Sequence, residues 1–390
     1  MKTIALFITA CLVLFSLAAK DGEKKAKKNA KKERETIEVC FVLDTTGSMG
    51  ALIEGAKQKV WSIANEILST KPVPNLRIGL IGYRDRKDAY VTQVHDLSED
   101  IDDVYAKLMK FQAQGGGDTP ESVNQALHEA VTKIKWNDDR KVLKLIFLVG
   151  DAPPHMDYQD DVKYPAVCKQ AAKKDLIVNT VQCGSMASTT PIWKEIAKLA
   201  EGDYVAIAQT GGVAAISTPV DAEIAKLNRE LGVTVVAYGD ARGRATVARK
   251  LALAADADDE VAADRLSVLS FKSKAISSFS STGSAAASAP ASAYIDGGGD
   301  LVGGLASGKY KYDKIEEDKL SEELKKMAPE KRTAYLKEQV AKRAELQKKL
   351  EELLVKRRDF VTTEKARLAK EGKGDGFDEK VSEIISKRRR

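Results

Sequence analysis

Ile37-Glu38-Val39-Cys40-Phe41-Val42-Leu43-Asp44-Thr45-Thr46-Gly47-Ser48-Met49-Gly50 is a nearly unbroken apolar run that ends in a carboxylate, hydroxyls and glycine. A run of this kind, without polar alternation, reads as a strand buried on both faces. Residues 51–68 then carry apolar side chains at helical spacing. Strand, polar loop and helix in that order make the first half of a βαβ unit.

Residues 76–82 form a second buried strand, and 90–94 alternate polar and apolar as an edge strand returning antiparallel would. Helical patterns at 101–111 and 121–134 bracket the glycines Gly115-Gly116-Gly117. The strand at 142–149 is the most hydrophobic in the chain. A helix at 162–174, a strand at 176–182, a helix at 192–200 and a short strand at 203–208 complete the series. Strands alternating with helices imply a doubly wound, mainly parallel α/β sheet, with one antiparallel edge strand. In such sheets ligand chemistry collects at the carboxyl ends of the central strands.

Three loops fall at that edge. Asp44, Thr46 and Ser48 alternate a carboxylate with hydroxyls, the hard oxygen donors that suit Mg²⁺ and also Mn²⁺ or Ca²⁺. The competing reading is a helix N-cap, with Asp44 or Ser48 capping and Gly47 easing the turn. Thr119 follows the glycine run, and Asp151 ends the best central strand ahead of Pro153-Pro154. Three converging loops favour the metal. Asp118 and Glu121 flank Thr119, placed to tune the site electrostatically, with a first-turn helix-dipole role the better fit for Glu121. Arg84, Asp85 and Asp88 fit a solvated hairpin, with contact to a partner as the alternative. His155 lies four residues past Asp151, but no second His or Cys at ligand spacing accompanies it, which argues against zinc.

With these motifs in place, residues 36–208 resemble a von Willebrand factor A domain, whose metal-ion-dependent adhesion site is written D-x-S-x-S, then Thr, then Asp. The resemblance implies a Rossmann-like fold and a ligand set of Asp44, Thr46, Ser48, Thr119 and Asp151. Thr46 stands where the commonest form has Ser and keeps the hydroxyl. Gly82-Tyr83-Arg84-Asp85, the 115–121 loop and Gly150-Asp151-Ala152-Pro153 are most similar to a bacterial-type subgroup also found fused to alpha-kinases, although no kinase sequence follows. The family implies a non-catalytic adhesion or scaffold protein in which a partner's Asp or Glu completes the ion's coordination, with switching through movement of the Thr119 loop. The alternative is an assembly or chaperone-like subunit working with an ATPase or a metal-insertion system.

Other features set the context. Residues 1–19 read as an export signal, with Lys2 before an apolar run and Ala18-Ala19 at the cut. The rival details are a lipoprotein-like box at Cys11 and the basic stretch in the linker at 20–35, which opposes translocation and is compatible with an uncleaved membrane anchor in either orientation. The expected location is therefore periplasmic, secreted or cell-surface. After the domain at 36–210 come a helical extension with a short strand (211–275), a Ser/Ala-rich linker (276–298) and a charged helical region (299–390). In the last region Leu336, Leu346, Leu350, Leu353 and Phe360 form a stripe interrupted by Arg343 and Arg357, read as a long exposed helix or helical hairpin, with a self-association coil as the alternative. The net charge of +6 sits mostly at the two ends, and no zinc-finger or RNA-binding motif accompanies it, so nucleic acid is not expected. Cys40, Cys168 and Cys183 are too few for a disulfide framework, leaving a Cys168–Cys183 bridge as a guess. Neither a nucleophile elbow, with Thr46 where its first glycine belongs, nor a phosphate loop supports catalysis.

Overall fold

The computed structural model describes residues 34–209, 216–280, 294–371 and 376–389. The expected signal lies outside them, as do most of the two linkers. The chain divides into a short unit, residues 1–34, and the unit Glu35–Arg390, to which every element below belongs.

Six strands form one sheet: β1 (Thr36–Asp44), β2 (Asn75–Tyr83), β3 (Thr92–Ser98), β4 (Leu143–Gly150), β5 (Leu176–Cys183) and β6 (Tyr204–Ile207). Their order is β3-β2-β1-β4-β5-β6, with only β2–β3 antiparallel, as the sequence pattern requires. Strands β1 and β4 lie at the centre, and their alternate side chains enter different cores. Val39, Phe41, Leu145 and Phe147 face one layer, while Cys40, Val42, Ile146 and Leu148 face the other. This two-sided burial is why neither strand shows polar alternation.

The first layer is built by α1 (Gly50–Ser69) and α2 (Ile101–Leu108). The second is built by α3 (Val123–Thr132), α4 (Tyr164–Lys173) and α5 (Thr189–Leu199). Cys168 belongs to the second core and Cys183 to the first, so the sheet separates them. The guessed bridge does not form, and all three cysteines are free and buried. Burial pushes the Cys168 thiol up to about 12, which makes it a poor nucleophile.

The chain continues through α6 (Asp221–Val233), α7 (Ala241–Ala255), α8 (Asp259–Ser280), α9 (Leu301–Ala306), α10 (Glu322–Lys325), α11 (Pro329–Lys370) and α12 (Phe377–Arg388). The short strand expected near 233–238 is instead an isolated bridge between Ala237 and Asp300. Helix α8 also runs through Ser280, into the stretch read as linker. Among the described residues no helix is long and apolar enough to cross a membrane.

Two features of this region were hidden in the sequence. Leu346, Leu350 and Leu353 of α11 are buried against α6 and α8, and Leu336 in an adjoining cluster, so that part of the stripe is covered within the chain; Phe360 remains 41% exposed. Arg343 and Arg357 do not interrupt the packing, because both are buried and paired. Arg343 donates to Thr234 Oγ1 at 2.7 Å and pairs with Asp300. Arg357 reaches Asp221 at 2.7 Å and Asp264 at 2.6 Å. Losing one partner of such a pair typically costs about 3–5 kcal/mol, since the other charge is left buried.

The second feature is α12. Phe377, Val381, Ile384 and Ile385 are buried in the same core as β1 and α1, and the Phe377 ring meets Phe41 edge-on at 6.0 Å. The sheet therefore ends with β6 at Ile207, but its core does not. The helical region between leaves the domain and returns to close it. Arg265 of α8 ties that region to the sheet layer through a buried two-pronged pair with Asp102 of α2, at 2.7 and 3.0 Å.

Candidate metal centre

The carboxyl ends of β1, β2 and β4 meet at one edge, and the residues just beyond them build the site. Asp44, the last residue of β1, is fully buried. Its Oδ1 accepts the Thr46 amide at 2.8 Å and the Thr46 hydroxyl at 2.6 Å. Thr46 Oγ1 lies 3.3 Å from the exposed Ser48 hydroxyl. Thr45 turns away to the Tyr83 carbonyl and the Tyr90 hydroxyl, at 2.8 and 2.7 Å. The other Asp44 oxygen, Oδ2, is buried and makes no hydrogen bond.

Asp151 follows β4. Its loop is pinned by Thr189 Oγ1, which donates to the Asp151 carbonyl at 2.8 Å, and by Trp193 Nε1 on the Ala152 carbonyl at 3.3 Å. Gln209, just past β6, donates to Asp151 Oδ2 at 2.8 Å and to the Ser48 carbonyl at 3.2 Å. It thus joins the first and last of the strand-end loops, a role nothing in the sequence marked. At Gly150 an added Cβ would fall 3.2 Å from Asp44 Oδ2, so glycine is what lets the two loops come close.

The glycine loop is strapped at its start. Gln114 donates to Thr45 O at 3.1 Å, Gly47 to Gly115 O at 3.2 Å, and Gly116 to Asp88 at 3.1 Å. Gly115 and Gly116 sit at φ of 78° and 82°, where other residues are strained, and a Cβ on Gly115 would overlap the Asp88 carboxylate. From Gly117 to Thr119 the loop is exposed. Among the described residues no hydrogen bond ties Thr119 to Asp44 or Asp151. The structure thus brings Asp44, Thr46, Ser48 and Asp151 together and leaves Thr119 at the rim.

Glu121, expected to be a helix-dipole residue, is instead 4% exposed, with Oε2 buried and unbonded. Its backbone locks two loops together, donating to Pro153 O at 2.9 Å and accepting from His155 N at 3.0 Å. Burial pushes its carboxyl up to about 9, with Asp44, Asp85, Asp88 and Asp151 adding repulsion. Asp44 is pushed up to about 7, by burial above all, while its bonds to Thr46 pull the other way. Arg84 is the buried cation nearby. Its guanidinium is spent on the Thr45 and Gln112 carbonyls, at 3.1 and 2.7 Å. Two buried, unbonded carboxylate oxygens with raised pKa values mark a place short of positive charge. The donor set, carboxylates with hydroxyls, fits a hard divalent ion.

The expected solvated hairpin is also otherwise. Asp85 is 6% exposed and accepts from Ser122 Oγ at 3.0 Å and from the Tyr158 hydroxyl at 2.9 Å. Asp85, Asp118 and His155 present one ligand atom each, all within 4.8 Å of one another, an arrangement that could hold a metal.

The fold is thus a doubly wound, mainly parallel sheet with a carboxylate–hydroxyl cluster at its carboxyl edge. Residues 38–219 match the von Willebrand factor A domain family, and this part of the chain is a von Willebrand factor A domain. An ariadne-like RING finger protein of Acanthamoeba polyphaga mimivirus is 31% identical over 119 residues, which is 30% of this chain and 11% of that protein. The chain thus spans about a tenth of that relative's length. Among solved structures, the SpRpn10 VWA domain is 15% identical, covering 45% of this chain and 89% of that one, with a TM-score of 0.34. Proximal thread matrix protein 1 from the mussel byssus is 14% identical over 45% of this chain and 42% of that one, at 0.33. An aerotolerance-related membrane protein from Bacteroides fragilis is 15% identical over 45% and 92%, at 0.31. Domains of this family are generally protein-interaction modules.

Proposed function

We propose that this chain is a non-catalytic, cation-dependent protein-binding module of the adhesion or scaffold kind, acting outside the cytoplasm. The observation that carries the reading is the buried, unbonded Oδ2 of Asp44, set among Thr46, Ser48 and Asp151. Asp44, Thr46, Ser48, Thr119 and Asp151 are the residues that would hold Mg²⁺ or a similar hard ion. When bound, such an ion offers an open coordination position to a carboxylate of a partner. Asp44 lies buried beneath the cluster, while the exposed Ser48 and Thr119 set the rim that a partner meets. Gln209 holds Asp151 to the Ser48 loop, so both ends of the cluster move as one piece. The extracytoplasmic assignment rests on the export signal read at residues 1–19.

The test is capture of partner protein by the full chain, with and without a chelator. Wild type is expected to capture in magnesium and to lose capture in EDTA, by more than about tenfold if one charge-assisted contact is removed. Asp44→Ala and Asp151→Ala should lose capture in magnesium while keeping the circular dichroism of wild type. Capture unaffected by EDTA and by both variants would refute the reading.

A further inference from the structure

The turn after β2, the exposed end of the glycine loop and the segment after β4 bring together residues that the Asp44 cluster does not use. We propose that Asp85, Asp118 and His155 form a second metal site, one that takes a borderline transition ion such as Zn²⁺ rather than Mg²⁺. His155 is 5% exposed, and its Nε2 is buried without a hydrogen bond. That nitrogen lies 3.5 Å from Asp85 Oδ2 and 3.8 Å from Asp118 Oδ1. Ligands held at roughly 2.0–2.2 Å around a tetrahedral ion lie about 3.3–3.6 Å apart, so the spacing leaves room for an ion between them.

The surrounding groups orient the imidazole as a metal ligand requires. Asp157 Oδ1 lies 2.8 Å from His155 Nδ1 and accepts its proton, so Nε2 is the nitrogen that faces the two carboxylates. A carboxylate behind a ligating histidine is the usual way such a ring is oriented and made more basic. The Tyr158 ring stacks on His155 at 4.0 Å, and its hydroxyl holds Asp85, so two of the three ligands are rigid. Arg86 covers the Tyr158 ring at 4.0 Å and pairs with Asp160 and Asp161, at 2.9 Å each, closing that side. The third ligand is different. The Asp118 side chain is 65% exposed and rides on the loop that carries Thr119. An imidazole nitrogen with two carboxylates suits zinc better than magnesium, whereas the hydroxyl and carboxylate oxygens of the Asp44 cluster suit magnesium, manganese or calcium. Three protein ligands leave one position for water, and engaging Asp118 would pin the free end of the glycine loop.

The competing account is a protonated imidazole paired with the carboxylates and binding no metal. A calorimetric titration of Zn²⁺ into the full chain, already saturated with Mg²⁺, separates the two. Uptake of one zinc per chain is expected. His155→Gln and Asp118→Asn should each weaken it on the order of 100-fold, and Asp157→Asn about tenfold. Asp118 is exposed, so its variant reports on binding without threatening the fold. Asp44→Ala is expected to keep the zinc equivalent, which makes failure of the magnesium site and failure of this one distinguishable. Absence of zinc uptake by wild type, or uptake unchanged in both His155→Gln and Asp118→Asn, would overturn the proposal. Loss in Asp44→Ala with retention in His155→Gln would also overturn it.

Discussion

A chain shortened to end at residue 371 is expected to lose cooperative folding, although every strand and every residue of the Asp44 cluster is still present. Helix α12 places Phe377, Val381, Ile384 and Ile385 in the core shared by β1 and α1, each 5% exposed or less. Burying one such side chain stabilises by about 1.5–3 kcal/mol, so the four contribute roughly 6–12 kcal/mol. The whole stability of a domain is of the same size, about 5–15 kcal/mol. Ion pairs at the end of the helix, from Lys387 and Arg388 to Asp203, are partly exposed and add little. Thermal unfolding followed by circular dichroism checks this, and the double variant Phe377→Asp, Ile384→Asp should behave like the truncation. A shortened chain that melts within a few degrees of the full one would show that α12 is an accessory.

The second large effect concerns pH in the presence of a chelator. Folding raises the Asp44 carboxyl to about 7 and the Glu121 carboxyl to about 9. Between the ordinary carboxylate range and those values the native chain binds protons that the unfolded chain has released. Through these two groups stability falls as pH rises from about 4 to about 9. Burial holds the His95 imidazole below its usual value, which opposes them only below about pH 6.5. One pKa unit corresponds to about 1.4 kcal/mol, so the Asp44 shift alone is worth on the order of 4 kcal/mol by pH 8. Asp96, Asp103, Glu129 and Asp203 are shifted downward, and their contribution is lost only as pH falls below the carboxylate range, outside this window. Urea unfolding in EDTA should show wild type losing stability across this range. Asp44→Asn should match it near pH 4 and exceed it by a few kcal/mol at pH 8. Magnesium should reverse the trend, since it favours the ionised carboxylates. Equal stability of wild type and Asp44→Asn at pH 8 in EDTA would mean that Asp44 is not held against its charge.

The sheet was legible because its strands are written in runs that no solvated segment carries, such as 37–43 and 142–149. The Asp44 loop was legible because hydroxyl and carboxylate chemistry sits next to such a run. What escaped has a common cause. Periodicity reports that a helix has an apolar face but not what covers it, so residues 377–388 gave no hint of returning to the first core. Arg343 and Arg357 looked like breaks in a stripe because their partners, Asp300, Asp221 and Asp264, are distant in sequence. Glu121, Asp85 and His155 occupy loops where a solvated and a buried acid or imidazole read alike. Only the closing of β2, β4 and the glycine loop on one another removes their water. A lone histidine argued against zinc by spacing, whereas the fold gives it two carboxylate neighbours from other loops.

The claim on which the proposed function stands is that the strand-end oxygens around Asp44 hold one hard cation. Calorimetric titration of magnesium into the chelator-stripped full chain at pH 6, in two buffers of different ionisation heat, tests it most directly. The account predicts uptake of one ion per chain with release of about one to two protons, from Asp44 and Glu121, and loss of that uptake in Asp44→Ala. A folded wild-type chain that takes up no magnesium, or takes it up equally well without Asp44, would contradict it.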